Sequence, residues 1–243
     1  MKVEDKMLAS ELFLLLDEKV PPELALENDR IGYFGDDDPD KLEVDKVQVL
    51  LDLLPCHDLS KLDAELVICH HPPLFKPRFP VFVIHSNWDI VKGGANDALA
   101  EHLGLRIRDV FDENTGIGRI CWTSTNMGDF IKKLASSLET NHIKMINNHP
   151  PEVIRKVALV SGFGLNKPDY VGLAHKKKVD LFLSGDLTHQ TALLAKNLGV
   201  NVLDATHYAT EIPGLVKLCK LVSEFGLETE LVPDRVPWNT IKL

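Results

Sequence analysis

Two adjacent histidines are the feature of this sequence that points most directly to chemistry. His70 and His71 follow an apolar segment, residues 66–69, and precede two prolines. Proline offers no N–H to a sheet ladder, so the predicted strand ends at this pair and both imidazoles can turn toward one site. Imidazole is a common metal ligand. The pair therefore indicates a metal site, and the alternative is a surface loop that is rich in His and Pro.

A second pair of potential ligands lies near the other end of the chain. His207 and Glu211 are four residues apart, which puts them on one face of a helix that begins near residue 207. An imidazole and a carboxylate in that arrangement can share one metal ion. The alternative is an ordinary helix N-terminus that carries a stabilising acid.

The first half of the chain has a pair with the same spacing. His85 and Asp89 follow an apolar segment, residues 81–84, which is predicted to be a strand. Asp89 is interpreted as a metal ligand or as the N-cap of a helix. His85 is interpreted as a ligand, as a partner that orients a ligand, or as a core histidine, and these alternatives stay open.

Taken together, five nitrogen and oxygen donors lie at predicted strand or helix ends: His70, His71, Asp89, His207 and Glu211. Catalytic zinc takes only three protein ligands. Five ligands with two carboxylates therefore predict two divalent ions, with one or both carboxylates bridging. A set of this kind without a thiolate suits Zn, Mn, Fe, Co or Ni.

Other residues are candidates for moving a proton or binding substrate beside such a site. Asp186 and His189, in the segment SGDLTHQ, and His85 could act as general acid or base. Helix capping is the alternative for Asp186. Gly93 and Gly94 precede a predicted helix, where backbone N–H groups could bind a phosphate. The sequence contains neither a P-loop nor a Rossmann glycine pattern.

The elements that must position these residues form a weak internal repeat. The predicted strands of the repeat are 44–51, 66–69, 81–84, 153–160, 179–183 and 200–203. Alternation of strands with helices predicts an α/β protein with mostly parallel sheets. The repeat predicts two α/β halves: residues 1–125 carry the His-His and His-x-x-x-Asp motifs, and residues 126–243 carry the His-x-x-x-Glu motif. Ligands bind such sheets at the carboxyl ends of the strands, where these motifs lie.

Composition excludes several classes of protein. The chain has 243 residues, 44% of them hydrophobic and 26% charged, which is not the composition of a disordered or fibrous protein. A formal net charge of −9 disfavours a protein that coats DNA by charge alone. The cysteines form no CxxC pair; they are Cys56, Cys69, Cys121 and Cys219. Without a secretory signal, and with no segment approaching the roughly 20 apolar residues of a membrane span, we expect a cytoplasmic protein that does not contact membranes.

The chain resembles the NIF-three-like family, whose members are often labelled GTP cyclohydrolase 1 type 2 homologues. The resemblance covers nearly the whole chain and rests on the segments ELVICHHPPLF, VFVIHSNWDIVKGGANDALAEHLGL, DLFLSGDLTHQ and DATHYATE. One departure is ATHYATE where other members often read AGHHATE. Thr206 thus replaces a glycine before His207, which would tighten the local backbone without removing a ligand.

The resemblance implies a dinuclear metal site whose ligands are His70, His71, Asp89, His207 and Glu211. It also implies two interlinked α/β domains. A toroidal homohexamer, with the metal sites facing an internal cavity, is implied as well.

Two hypotheses of function follow. In the first, the chain is a metal-dependent hydrolase of a nucleotide-like substrate, and metal-bound hydroxide opens a purine ring or cleaves a phosphoester. In the second, a ring-shaped protein binds single- or double-stranded DNA, and its metal is structural or regulatory. The basic residues available for DNA are Lys176, Lys177, Lys178, Arg106, Arg108, Lys132 and Lys133. A metallochaperone or regulatory partner is a third alternative that no residue distinguishes.

Overall fold

The computed structural model describes residues 6–54, 62–232, 236–238 and 241, so Cys56 lies outside the described residues. The chain divides into two compact units, one formed by Met1–Val91 with Leu215–Leu243 and the other by Lys92–Gly214. This division differs from the boundary that we expected at residue 125. Residues 92–125 belong to the second unit, and the chain returns to the first unit for its last segment.

The first unit is built on a five-stranded mixed sheet. Its elements are β1 (Met7–Leu8), α1 (Ala9–Lys19), a short 3₁₀ helix (Pro22–Leu24), β2 (Gly32–Phe34), β3 (Glu43–Val44), β4 (Lys46–Leu50), β5 (Leu66–Cys69), β6 (Val81–Val83), α2 (Ser86–Ile90) and β13 (Glu228–Leu231). The strand order is β13-β4-β5-β6-β2, parallel except for β2, and β1 pairs with β3 separately. β5 and β6 are buried along their whole length, as apolar strands in the middle of a parallel sheet must be.

The second unit is built on a six-stranded mixed sheet. Its elements are α3 (Ala95–His102), β7 (Arg106–Val110), β8 (Arg119–Thr125), α4 (Met127–Ser137), β9 (Lys144–Ile146), β10 (Ile154–Leu159), a short 3₁₀ helix (Gly164–Asn166), α5 (Pro168–Lys176), β11 (Leu181–Ser184), α6 (His189–Leu198) and β12 (Val202–Asp204). The strand order is β7-β8-β10-β11-β12-β9, with β10, β11 and β12 parallel. A last helix, α7 (His207–Ser223), begins in this unit and ends in the first.

The predicted α/β class is confirmed. The first unit has four neighbouring parallel strands and the second has three, whereas β2, β7, β8 and β9 pair antiparallel, so the sheets are mixed. Capping residues mark the ends of helix α6. The Thr188 hydroxyl accepts from Thr191 N–H at 3.2 Å before α6, and Gly199 ends that helix with φ 73°. None of the helices in the described part of the chain combines the length and the apolar character that crossing a membrane requires.

A buried ion pair fixes the start of α3. Arg119 on β8 and Asp97 on α3 are 3% and 6% exposed and are joined by a short hydrogen bond from Arg119 Nε to Asp97 Oδ1. The other oxygen of Asp97 accepts from Gly93 N–H at 2.6 Å. The Asp97 carboxylate therefore already accepts from the N–H group that a phosphate at the Gly93-Gly94 turn would need. The interpretation of this turn as a phosphate site is not supported.

Removal of the buried cation is expected to destabilise the protein. In Arg119→Met, Asp97 stays buried without its guanidinium, and we expect a loss of about 3–5 kcal/mol in the free energy of unfolding. Urea denaturation measures the change. Arg106→Met, on the exposed end of β7, is the matched control, with an expected change within about 0.5 kcal/mol. Equal losses in the two variants would contradict the prediction.

Candidate functional site

Three imidazoles cluster in the first unit, at the carboxyl ends of β5 and β6. His70 and His71 follow β5 directly, and His85 follows β6 by two residues. One ring nitrogen from each lies within 4.8 Å of the other two, and the ring centroids are 5.1–5.5 Å apart. Because the two strands are parallel neighbours, they bring their carboxyl ends together. The cluster has the nitrogen donors of a metal site.

Hydrogen bonds fix the ring orientation of the first two histidines. His70 Nδ1 donates to the carbonyl oxygen of Ile84 at 2.9 Å, and His71 Nδ1 donates to Asp52 Oδ1 at 2.9 Å. Both partners are acceptors, so each Nδ1 carries the proton and the lone pair is on Nε2. Metal-ligating histidines usually have this kind of outer partner. The side chain of His70 is 2% exposed, whereas that of His71 is 22% exposed.

His85 is held by a carboxylate in the same manner. His85 Nδ1 donates to Asp29 Oδ1 at 2.8 Å, and Asp29 Oδ2 accepts from Ser86 N–H at 3.0 Å and from the Ser86 hydroxyl. Burial raises the pKa of Asp29, but the hydrogen bonds from His85 and Ser86 outweigh it and hold the pKa well below its usual range. Asp29 therefore stays ionised and fixes His85 as the Nδ1–H tautomer.

Asp89 supplies a buried carboxylate to the same cluster. It is 2% exposed, and its Oδ1 lies 3.8 Å from His70 Nε2. The alternative role as an N-cap does not apply, because α2 already begins at Ser86 and His85 is its N-cap residue. The first unit thus contributes a nitrogen-rich set with one buried acid.

The second unit has its own donor pair on the first turn of α7. The helix begins at His207, as the spacing requires, and His207 Nε2 lies 3.0 Å from Glu211 Oε2. Glu211 is only 3% exposed. His207 Nδ1 donates to Asp186 Oδ2 at 2.7 Å. The i, i+4 spacing therefore does bring an imidazole and a buried carboxylate together.

The pair attracts positive charge. Burial lowers the pKa of His207, but hydrogen bonds and charges from Asp186 and Glu211 outweigh it and raise the pKa to about 10. At pH 7 the imidazole is therefore protonated, and the proton between His207 and Glu211 occupies a place that a divalent ion could take. Metal binding here would release that proton.

Gly162, at the loop after β10, packs directly against this pair. Its φ is 71°, and a Cβ built there would lie 2.9 Å from Glu211 Cδ and 3.0 Å from His207 Nε2. Its N–H donates to the Thr210 hydroxyl at 2.9 Å, and the neighbouring Ser161 hydroxyl donates to the Thr210 carbonyl at 2.9 Å. The position therefore requires glycine for both space and conformation.

The predicted proton-transfer residues lie in different surroundings. Asp186 bonds His207 and is not the helix cap, since Thr188 caps α6. His189 is the first residue of α6 and is exposed. His85 bonds Asp29 beside His70 and His71. Their roles as general acid or base stay predictions.

Sequence reasoning missed Asp29, Asp52 and Gly162. Asp52 had a usable signal, because it follows β4, which is the parallel neighbour of β5, so its side chain is near the end of the same sheet as His71. Asp29 lies 56 residues before its partner His85. No local pattern indicates such a contact.

Comparison with known proteins identifies the family. The family model described as Duf34/NIF3 (NGG1p interacting factor 3) matches residues 7–235. The chain belongs to the DUF34/NIF3 family. The resemblance seen in the sequence is thus confirmed.

DUF34/NIF3 relatives match the chain over nearly their whole length. A GTP cyclohydrolase 1 type 2 homolog of Methanothermobacter thermautotrophicus is 40% identical, over 94% of this chain and 94% of the relative. A protein of the same name from Methanocaldococcus jannaschii is 32% identical, over 93% and 98%. Reduced HcgD from Methanocaldococcus jannaschii is a solved structure with 30% identity and a TM-score of 0.82, over 93% and 98%.

Proposed function

We propose that this DUF34/NIF3 protein is a metal-dependent hydrolase that acts on a nucleotide-like substrate at a dinuclear centre. One observation carries the proposal: the Nδ1 atoms of His70, His71, His85 and His207 all donate to a carbonyl or carboxylate oxygen. This pattern leaves the Nε2 atoms to ligate, as in metal sites with an ordered outer shell. A protein that merely buried four histidines would not need a carboxylate behind three of them.

The donor chemistry fits divalent ions of the zinc and iron type. His70, His71 and Asp89 in the first unit and His207 and Glu211 in the second are the residues that would hold them. Two donors are too few for the second unit to satisfy an ion alone, since catalytic sites use about three protein ligands. The family resemblance implies that these five residues together hold two ions. Bound ions would supply hydroxide at neutral pH.

His85 is the residue of this chain that would move the proton. Asp29 fixes its Nδ1–H tautomer, so Nε2 can accept a proton from water and return it to a leaving group. The side chain of His85 is 28% exposed, against 22% for His71 and 2% for His70, and the family resemblance counts His71 but not His85 among the ligands. An imidazole that exchanges protons with substrate and solvent needs this access.

The substrate class rests on the relatives. Their name, GTP cyclohydrolase 1 type 2 homolog, favours a guanine nucleotide or a related compound. Opening of the purine ring and cleavage of a phosphoester are both within reach of a metal-activated water, and product analysis by mass spectrometry separates them. A homohexamer, implied by the resemblance, is part of the proposal, and light scattering should give six times the chain mass of 27.2 kDa.

Metal content is the decisive measurement. Untagged protein is purified without chelator in one preparation and anaerobically with Fe(II) in a second. We expect it to contain two divalent ions per chain. His71→Ala in the first unit and Glu211→Gln in the second should each lower that number. His175→Ala, an exposed histidine on α5, should retain both ions. Wild-type protein without metal in either preparation would overturn the proposal.

DNA binding is the competing outcome. Lys177, one of the three adjacent lysines, lies 2.6 Å from Glu113 Oε1 in an ion pair, which weakens the case for a basic patch there. If DNA binds, its affinity should fall steeply with salt, and replacement of Lys176 and Lys178 should weaken it while turnover stays constant.

A further inference from the structure

A buried carboxylate that neither donor set includes lies at the end of β12. Asp204 is 2% exposed. Its Oδ1 accepts from Thr206 N–H at 2.8 Å, and its Oδ2 accepts from Leu187 N–H at 3.2 Å and from Lys144 Nζ at 2.9 Å. Both oxygens of Asp204 therefore accept hydrogen bonds. The two backbone donors, Thr206 N–H and Leu187 N–H, belong to two separate loops.

Those loops contain two strained residues that set the position of His207. Asp186, directly before Leu187, has φ 63°, and Thr206, directly before His207, has φ 73°. Neither is a glycine, and a β-branched residue in the left-handed region is rare. Such conformations persist only where the surroundings over-determine them. The hydrogen bonds that Asp204 accepts supply that constraint, directly from Thr206 N–H and, for Asp186, from the N–H of the next residue, Leu187.

We propose that Asp204 is a positioning residue that holds Asp186 and His207 in register for metal binding. The Asp186 Oδ2 to His207 Nδ1 contact of 2.7 Å joins the two loops, and both loops are attached to the same Asp204 carboxylate. The inference rests on the proposed metal site, since it assigns to Asp204 the orientation of one ligand. Asp204 itself ligates nothing in this proposal.

Lys144 completes the arrangement by neutralising the buried acid. It comes from the edge strand β9, and its side chain is 69% exposed while its ammonium contacts Asp204. A buried carboxylate is costly without a compensating charge or hydrogen bonds. The Asp204 carboxylate accepts at both oxygens, which an amide cannot do.

The first test is the isosteric variant Asp204→Asn. Its amide nitrogen must face either Thr206 N–H or Leu187 N–H, so one loop loses its acceptor. We expect the affinity for Co(II), measured by competition with a chromophoric chelator, to fall about 10- to 100-fold, as for other outer partners of metal ligands. The Co(II) absorption spectrum of the variant should change with it.

Asp180→Asn is the matched control. Asp180 Oδ2 also accepts from two backbone N–H groups, those of Arg155 and Lys156 at 2.8 and 2.9 Å, but at the opposite end of the same sheet. We expect it to lower Tm to a similar extent and to leave the Co(II) affinity within about twofold of wild type. A purely structural role for Asp204 would make the two variants alike.

A second readout uses the metal-free protein. The ¹H–¹⁵N signal of His207 Nδ1, hydrogen-bonded to Asp186, should be visible in wild type and in Asp180→Asn, and lost to solvent exchange in Asp204→Asn. If wild type binds no metal, the proposed function fails and this signal alone decides the inference. If wild type binds metal, and Asp204→Asn matches it in affinity and in signal, the inference fails and the proposed function stands.

Lys144→Gln covers the case in which Asp204→Asn does not fold. Because Lys144 is mostly exposed, this variant keeps the fold. It should lower the Co(II) affinity by about 2- to 5-fold and broaden the same His207 signal. Wild-type affinity and an unchanged signal in Lys144→Gln would also overturn the inference.

Discussion

His85→Ala is expected to lower kcat by about 10²–10⁴-fold, the usual contribution of a general acid or base, while both metal ions stay bound. The reason is the division of roles between the three imidazoles of the first unit. His70 is fixed by a backbone carbonyl and almost fully buried. His71 and His85 are each fixed by a carboxylate and partly accessible, and of these two only His71 belongs to the ligand set that the family resemblance implies. Metal content by elemental analysis and turnover of a guanine nucleotide measure the two effects separately.

Two comparisons sharpen this experiment. Asp29→Asn keeps the shape but no longer fixes the His85 tautomer, so kcat should fall in the same direction by a smaller factor. His102→Ala, at the exposed end of α3, should behave as wild type. Loss of a metal ion in His85→Ala would instead make His85 a ligand and contradict the prediction.

The sequence predicted the ends of strands better than the contacts made there. The strand at 66–69 and the helix at 189–198 agree with β5 and α6, because apolar runs, prolines and capping residues are local signals. The same signals put His70, His71 and His207 at strand or helix ends. These local signals do not predict the carboxylates that hydrogen-bond to the histidines. The contacts of Asp29 with His85 and of Asp186 with His207 span 56 and 21 residues, and only the folded chain brings them together.

Local sequence patterns also do not predict the division of the chain into its two units. β13 adds to β4 as a parallel strand, and the paired residues Gln48 and Glu230 are 182 residues apart in sequence. A short strand with alternating exposed and half-buried residues carries little information about its partner. A boundary at residue 125 follows from the repeat, whereas long-range pairing sets the observed one.

Thr206 shows where a sequence comparison and the structure inform each other. The sequence departs from the pattern AGHHATE by placing threonine before His207, which predicted a tighter backbone. In the structure this residue has φ 73°, the conformation that glycine adopts without strain. Its hydroxyl accepts from Ala209 N–H at 3.2 Å and so caps α7. The departure thus exchanges backbone freedom for a helix cap next to a proposed metal ligand.

Gly162→Ala is expected to lower the metal affinity of the His207–Glu211 pair by about 100-fold, the upper end for a residue that orients ligands. The new methyl group would overlap the Glu211 carboxylate and lie 3.0 Å from His207 Nε2, which is the atom that has to ligate. Because Gly185 N–H also donates to the Gly162 carbonyl at 2.8 Å and Thr210 accepts from the Gly162 N–H, the loop cannot retreat without breaking both bonds. Isothermal titration with Zn(II) or Co(II) measures the loss.

Gly199→Ala separates this steric effect from backbone strain. Gly199 has φ 73°, nearly the same as the 71° of Gly162, but a Cβ there meets no described atom within 4 Å. Both substitutions place alanine in the left-handed region, so backbone strain alone should lower the free energy of unfolding by about 1–2 kcal/mol in each variant. Only Gly162→Ala should lose metal, because only that Cβ enters the space between the ligands. Equal metal affinity in the two variants would mean that Glu211 and His207 do not ligate where the proposed centre needs them.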